Sequence, residues 1–153
     1  MQKIQYFKQE KPWTCGPACM RMVLGFFGIK KSEAVLAKLL ARVGEPGTPN
    51  RALVELAEKL KLDYVVQRNA SLIDLKRVIA DGFVVVVGYF DQIEHVGHFA
   101  VVKSLSKKKI VLLDPWYGAK CAFSNGDFVR TWRSGFDNDV RWFIGIRMPR
   151  LRA

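Results

Sequence analysis

Cys15 stands in Lys11-Pro12-Trp13-Thr14-Cys15-Gly16-Pro17-Ala18-Cys19, directly ahead of the apolar run Met20 to Phe27. This string predicts a helix that opens with a thiol in its first turn, where Pro17 is tolerated because first-turn amides lack intrahelical partners. The positive end of the helix dipole at such a position favours thiolate over thiol, which makes a usable sulfur nucleophile. A nucleophile of this kind needs a base, and the chain has 2 histidines, His95 and His98. His98 opens the valine-rich run Gly97 to Val102, and Asp114 closes a second apolar run, Val111 to Asp114, with Lys107 to Lys109 as the polar turn between them. Two strands so joined form an antiparallel hairpin, and His98 and Asp114 are then expected as neighbours across its ladder. A carboxylate beside an imidazole fixes its tautomer and stabilises the imidazolium, so Cys15, His98 and Asp114 have the makings of a thiol-protease triad. Gln9, a few residues upstream of Cys15, offers an uncharged amide donor that suits an oxyanion cradle beside the nucleophile's own backbone N–H.

Each of these residues also has a plainer reading. A lone cysteine is by default a small core hydrophobe, and Cys19 and Cys121 are assigned that role. Cys15 and Cys19 lack the second pair of ligands that zinc needs, and the chemistry calls for neither metal nor cofactor. His98 has the alternative of a satisfied core histidine and His95 that of a loop residue near the site. Asp114 has the alternative of capping the turn at Pro115, and Gln9 that of an ordinary strand-end glutamine. Trp13, Trp116 and Tyr117 read either as walls of a substrate groove or as surface packing.

The elements that must position these groups divide the chain into a helical first half and a β-rich second half. After the Cys15 helix and its stop at Gly28, Ser32 caps a second helix through Leu40, and Gly44 to Gly47 forms a loop. Thr48-Pro49 opens a third helix through Leu60. A short strand follows over Asp63 to Gln67, and Ser71 and Asp74 form a capping box for a helix that ends at Gly82. Phe83 to Val87 is a buried strand with both faces apolar; after the hairpin come a short segment from Lys120 to Phe123, a helix from Ser124 through Trp132, and a closing strand from Arg141 to Ile146. The order predicts an α+β fold with the helices packed on an antiparallel sheet, nucleophile and base coming from different layers. At 153 residues with 50% hydrophobic content the chain is expected to be one domain, 1–153, with a proper core. A net charge of +11, with Lys and Arg dense also in the tail at Arg147, Arg150 and Arg152, favours contact with nucleic acid, an anionic membrane or an acidic partner. No nucleic-acid recognition motif is evident, however, and a solvated basic surface is the plainer reading. The odd count of 3 cysteines and an N-terminus without an apolar signal segment point to a reducing, cytoplasmic setting.

The pattern of Gln9, Cys15-Gly16-Pro17-Ala18-Cys19, His98-Phe99-Ala100-Val101-Val102 and Asp114-Pro115 resembles the bacteriocin-processing leader peptidases from about Ile4 to about Trp132. That family is papain-like and cuts after double-glycine leaders, commonly as the N-terminal domain of an ABC exporter. The resemblance implies a papain-like fold, with Cys15 as nucleophile, His98 as general base and acid, Asp114 as the orienting carboxylate and Gln9 as oxyanion donor. It further implies cleavage of a peptide or protein tail after small residues such as Gly-Gly, in a groove that Trp13, Trp116 and Tyr117 would narrow. Two features depart from the family pattern. Thr14 stands where an acidic or aromatic residue is usual, and no exporter follows Ala153, the stretch Phe83 to Phe90 being too short to span a bilayer, so a stand-alone member is expected. The same thiol chemistry would also serve an acyltransferase or a deamidase, and a non-catalytic peptide-binding module is a third possibility. The intact set of four site positions argues against that third one.

Overall fold

The computed structural model of the protein describes residues 3–44, 47–135 and 137–150. Glu45 and Pro46 of the expected loop, and Arg152 near the C-terminus, lie outside the described residues. The first half folds as α1 (Cys15–Phe26), α2 (Glu33–Leu40) and α3 (Asn50–Lys59). There follow β1 (Asp63–Gln67), α4 (Leu72–Ala80), β2 (Val84–Asp91), β3 (Val96–Leu105), β4 (Lys109–Asp114), β5 (Gly118–Ser124), α5 (Asn125–Thr131) and β6 (Phe143–Arg147). Serines start three of the helices as the sequence predicts. Ser32 Oγ accepts from the Val35 amide, Ser124 Oγ from the Asp127 amide, and Ser71 and Asp74 complete a capping box in both directions. At α3 the cap is Pro49, so the helix proper begins one residue later than Thr48-Pro49 suggests.

The strands form one six-stranded antiparallel sheet in the order β1-β6-β2-β3-β4-β5. Strand β2 extends to Asp91, four residues past the apolar run that announced it. Alternate residues of the central strands go to two separate cores, as a period of two demands. Val86, Phe99, Val101 and Leu113 pack with Met20, Leu24, Leu36, Leu53 and Leu56 of α1, α2 and α3. Val87, Tyr89, Ala100 and Leu112 pack with Leu75 of α4 and Phe128 of α5. The sheet is therefore covered on both faces, which is why β2 reads as apolar on both faces from Val84 to Val87. Close approach of α4 to β6 depends on Gly145, where a Cβ would lie 2.7 Å from Val78 Cγ1. Among the described residues no helix is long and apolar enough to cross a membrane.

Candidate active site

The start of α1 is built differently from the other helix starts. Thr14 turns its hydroxyl back on Lys11, accepting from the Lys11 amide at 3.1 Å and donating to the Lys11 carbonyl at 2.9 Å, and it makes no side-chain cap. The first helical bond is Ala18 N–H to Thr14 O at 3.0 Å. The amides of Cys15 and Gly16 are thus not drawn into a side-chain cap, and Pro17 has no N–H, so the positive end of the helix is presented at the sulfur. Cys15 is half-buried in the wall of a cleft, whereas Cys19 is fully buried. Burial pushes the Cys19 thiol well up, and burial together with the nearby Asp114 charge pushes the Cys121 thiol up to about 11, so neither is a thiolate near neutral pH.

His98 and Asp114 meet, but not by the simple hairpin geometry that the sequence suggests. Near the turn, Leu105 pairs with Ile110 and Ser104 with Val111; beyond an irregularity at Lys103, Val102 pairs with Leu112 and Val101 with Leu113. Lys103 is the extra residue of a β-bulge, and it shifts the register by one. Continued without the bulge, the pairing at the turn would set Asp114 opposite Val101, on the face toward α1, away from His98. With it, Asp114 falls diagonal to His98 on a shared face, and His98 Nε2 lies 2.7 Å from Asp114 Oδ1. Asp114 is 0% exposed and His98 8%. The other ring nitrogen, Nδ1, is left for Cys15, which lines the same cleft as His98 and contributes to raising the pKa of its imidazole.

The electrostatics follow from this burial and pairing. Burial works against the charged imidazole, but the bond to Asp114 and the contact with Cys15 overcome it and raise the His98 pKa from 6.5 to about 10. Burial likewise opposes ionisation of Asp114, yet the His98 ring, the Tyr89 hydroxyl and the Tyr117 amide together hold its carboxyl below the usual range. Oδ1 accepts from the Trp116 and Tyr117 amides at 2.9 and 3.0 Å as well as facing His98, and Oδ2 accepts from the Tyr89 hydroxyl. The Asp114 side chain thus caps the turn after Pro115 with the same oxygen that faces His98.

Gln9 is buried beside this group, its backbone N–H tied to Pro115 O at 2.9 Å. Its Nε2 donates to Lys11 O at 2.7 Å, which occupies one of its two protons and leaves the other. The loop carrying Gln9 is anchored on α2, where both oxygens of the buried Glu33 carboxylate accept from the Glu10 amide. The cleft measures about 570 Å³ and runs between Cys15, Trp13, His98, Phe90, Phe99 and the segment Ser134–Gly135. Of the three expected groove residues, Trp13 lines it. Trp116 and Tyr117 do not; Tyr117 lines a second cavity with Tyr89 and Cys121, donating its hydroxyl to Asp91 Oδ2 at 2.5 Å. The cleft is narrowed instead by backbone, since a Cβ on Gly97 would lie 2.5 Å from Gly135 N. His95 also lines the cleft, exposed and at φ 54° in the β2–β3 turn. Sequence reasoning missed Tyr89 and the Ser134–Gly135 wall. For Tyr89 a signal existed, because a tyrosine in a buried strand needs a partner for its hydroxyl.

The family model described as Peptidase C39 family matches residues 3–136. An uncharacterized protein of Methanothermobacter marburgensis is 33% identical over 111 residues, 72% of this chain and 71% of its own. The peptidase domain of Streptococcus ComA, a bi-functional ABC transporter involved in a quorum sensing pathway, superposes with a TM-score of 0.76 at 20% identity, covering 96% of this chain and 100% of that one. A double glycine motif protease from an AMS/PCAT transporter, solved in complex with the leader peptide, gives 0.71 at 17% identity, covering 95% of this chain and 93% of that one.

Proposed function

The chain belongs to the peptidase C39 family, and from that premise we propose that it is a cysteine peptidase with Cys15 as nucleophile, His98 as base and acid, Asp114 as orienting carboxylate and Gln9 as oxyanion donor. One observation carries this reading: His98, held at 2.7 Å by the buried Asp114 carboxylate, lines the same cleft as Cys15 at the start of α1. In the first step the Cys15 thiolate attacks the scissile carbonyl, and a C–S bond forms as the oxygen takes up negative charge. The Cys15 amide and the free proton of Gln9 Nε2 receive that oxyanion. The His98 imidazolium then protonates the leaving amine as the C–N bond breaks, giving an acyl-enzyme. Neutral His98 takes a proton from water, which attacks the thioester; the C–S bond breaks and the acid product leaves with the thiolate–imidazolium pair restored. Gln9→Ala is expected to reduce kcat by about a hundredfold, the scale of one oxyanion donor, with little change in Tm. Activity retained in that variant would place the cradle elsewhere.

The relative solved with a leader peptide is a double glycine motif protease, and the cleft of this chain suits a similar cut. Gly88, Gly97 and Gly135 line it without side chains, while Phe90, Phe99 and Trp13 supply apolar walls. We expect glycine or alanine at the two positions before the scissile bond and hydrophobic residues further upstream; a net charge of +11 favours an acidic substrate tail. Cleavage of a peptide library, read by mass spectrometry, tests this. Selection of a bulky or basic residue immediately before the cut would remove the small-residue specificity while leaving the thiol chemistry standing. A reducing, cytoplasmic setting fits the proposed chemistry, because it keeps Cys15 as a free thiol.

A further inference from the structure

The Asp114 carboxylate is the most enclosed charge of the site, and its two oxygens are served unequally. Oδ1 faces His98 Nε2 and accepts two backbone amides, from Trp116 and Tyr117. Oδ2 accepts from one donor among the described residues, the hydroxyl of Tyr89 on β2. The neighbouring tyrosines are committed elsewhere: Tyr117 donates its hydroxyl to Asp91, and Tyr6 donates to the backbone oxygen of Asp114 at 2.6 Å. Tyr89 stands directly opposite His98 in the β2–β3 ladder, with its ring edge-on to the imidazole at 5.5 Å and 85°. It is 2% exposed, fixed between Phe123 and Phe128, so the hydroxyl has no freedom to turn to solvent.

We propose that Tyr89 is a positioning residue of the catalytic centre, donating its hydroxyl to Asp114 Oδ2 so that this carboxylate stays ionised with Oδ1 turned to His98. The inference rests on the proposed roles of Cys15, His98 and Asp114 and adds a fourth side chain that acts through the third. The physical reason is the penalty on a buried carboxylate oxygen with no donor. Without the hydroxyl, Oδ2 would be such an oxygen. The carboxyl would then hold its proton to higher pH, and the imidazolium that sustains the Cys15 thiolate would lose its counter-charge. The other titratable groups around the carboxylate offer no substitute. Among the described residues Cys19 on α1 and Cys121 on β5 make no hydrogen bond to Oδ2, and Asp91 at the end of β2 is an acceptor already served by Tyr117.

The test is alkylation of Cys15 by iodoacetamide as a function of pH, followed by mass-spectrometric mapping, in the wild type, Tyr89→Phe, Asp114→Asn and the double variant. Tyr89→Phe is expected to move the acid limb of the profile up by about one pH unit, with alkylation on that limb about tenfold slower. In the Asp114→Asn background it should change nothing further, because the hydroxyl acts through that carboxylate. A merely structural tyrosine would lower Tm and leave the limb in place. 3-Fluorotyrosine at position 89 keeps ring and hydroxyl but donates more strongly, and it is expected to move the limb the other way without disturbing the fold. An unmoved limb in both replacements, or the same shift with and without Asp114, overturns the role of Tyr89 alone, provided that His98→Ala slows Cys15 alkylation. If His98→Ala leaves the alkylation unchanged, the catalytic reading itself falls, and the role of Tyr89 with it.

Discussion

Replacing Cys15 by alanine is expected to reduce peptide cleavage by roughly 10⁴-fold or more, because the loss removes the covalent route rather than weakening it. What remains is whatever the cleft and the oxyanion donors contribute to direct attack by water. The substitution removes one half-buried sulfur at a helix start, so the fold should tolerate it, with Tm changed by a few degrees at most. Cys15→Ser is a sharper version of the experiment. A hydroxyl is a far weaker nucleophile at this site, since its proton must be removed in the transition state, and serine should not restore activity. Turnover of a cleavable peptide and an intact melting profile are measured together. Unchanged turnover in Cys15→Ala would show that hydrolysis proceeds without the thiol and end the cysteine-peptidase assignment.

The second large effect belongs to Asp114. Asp114→Asn keeps the shape but replaces an anion that accepts from four donors with an amide that must donate at one end. One of its partners among His98, Tyr89 and the amides of Trp116 and Tyr117 is then left facing a donor. Loss of the tautomer lock and of the counter-charge to the imidazolium is expected to lower kcat by about 10³- to 10⁴-fold, the scale of the equivalent change in serine proteases. The same pair sets a pH dependence of stability. His98 has its pKa raised from 6.5 to about 10 in the folded protein, so its contribution is fully present below pH 6.5 and is lost as pH rises through about 10. Asp114 is shifted the opposite way, below its ordinary 3.8, and its contribution is present above that value and lost as pH falls through the depressed one. The pair therefore stabilises most between these limits, on the mildly acidic side of neutrality. Wild-type Tm should decline between pH 6.5 and 10, and Asp114→Asn should flatten that decline. Calorimetry across this range decides it. A variant whose alkaline decline matches the wild type would mean that His98 does not owe its charge to Asp114.

The elements with a local signature were legible in the chain. Ser32, Ser71 and Ser124 each cap a helix because a side-chain oxygen three residues from an amide is a local geometry that needs no distant partner. The Cys15 helix start and the α+β order were legible for the same reason, and so was the presence of His98 and Asp114 in one hairpin. What brings those two side chains to one face is the single extra residue at Lys103, and nothing local marks it. A bulge is settled by how whole strands pair and which faces they must bury, so an alternating apolar pattern is compatible with either register. The walls of the cleft were decided the same way. Trp116 and Tyr117 adjoin Asp114 in sequence, yet the turn that donates their amides to its carboxylate keeps them out of the cleft. Gly97 and Gly135, remote in sequence, meet there instead. Tyr89 belongs with them: its identity as a buried tyrosine was written in the strand, but the carboxylate that receives its hydroxyl comes from 25 residues away and is met only when β2, β3 and β4 lie side by side.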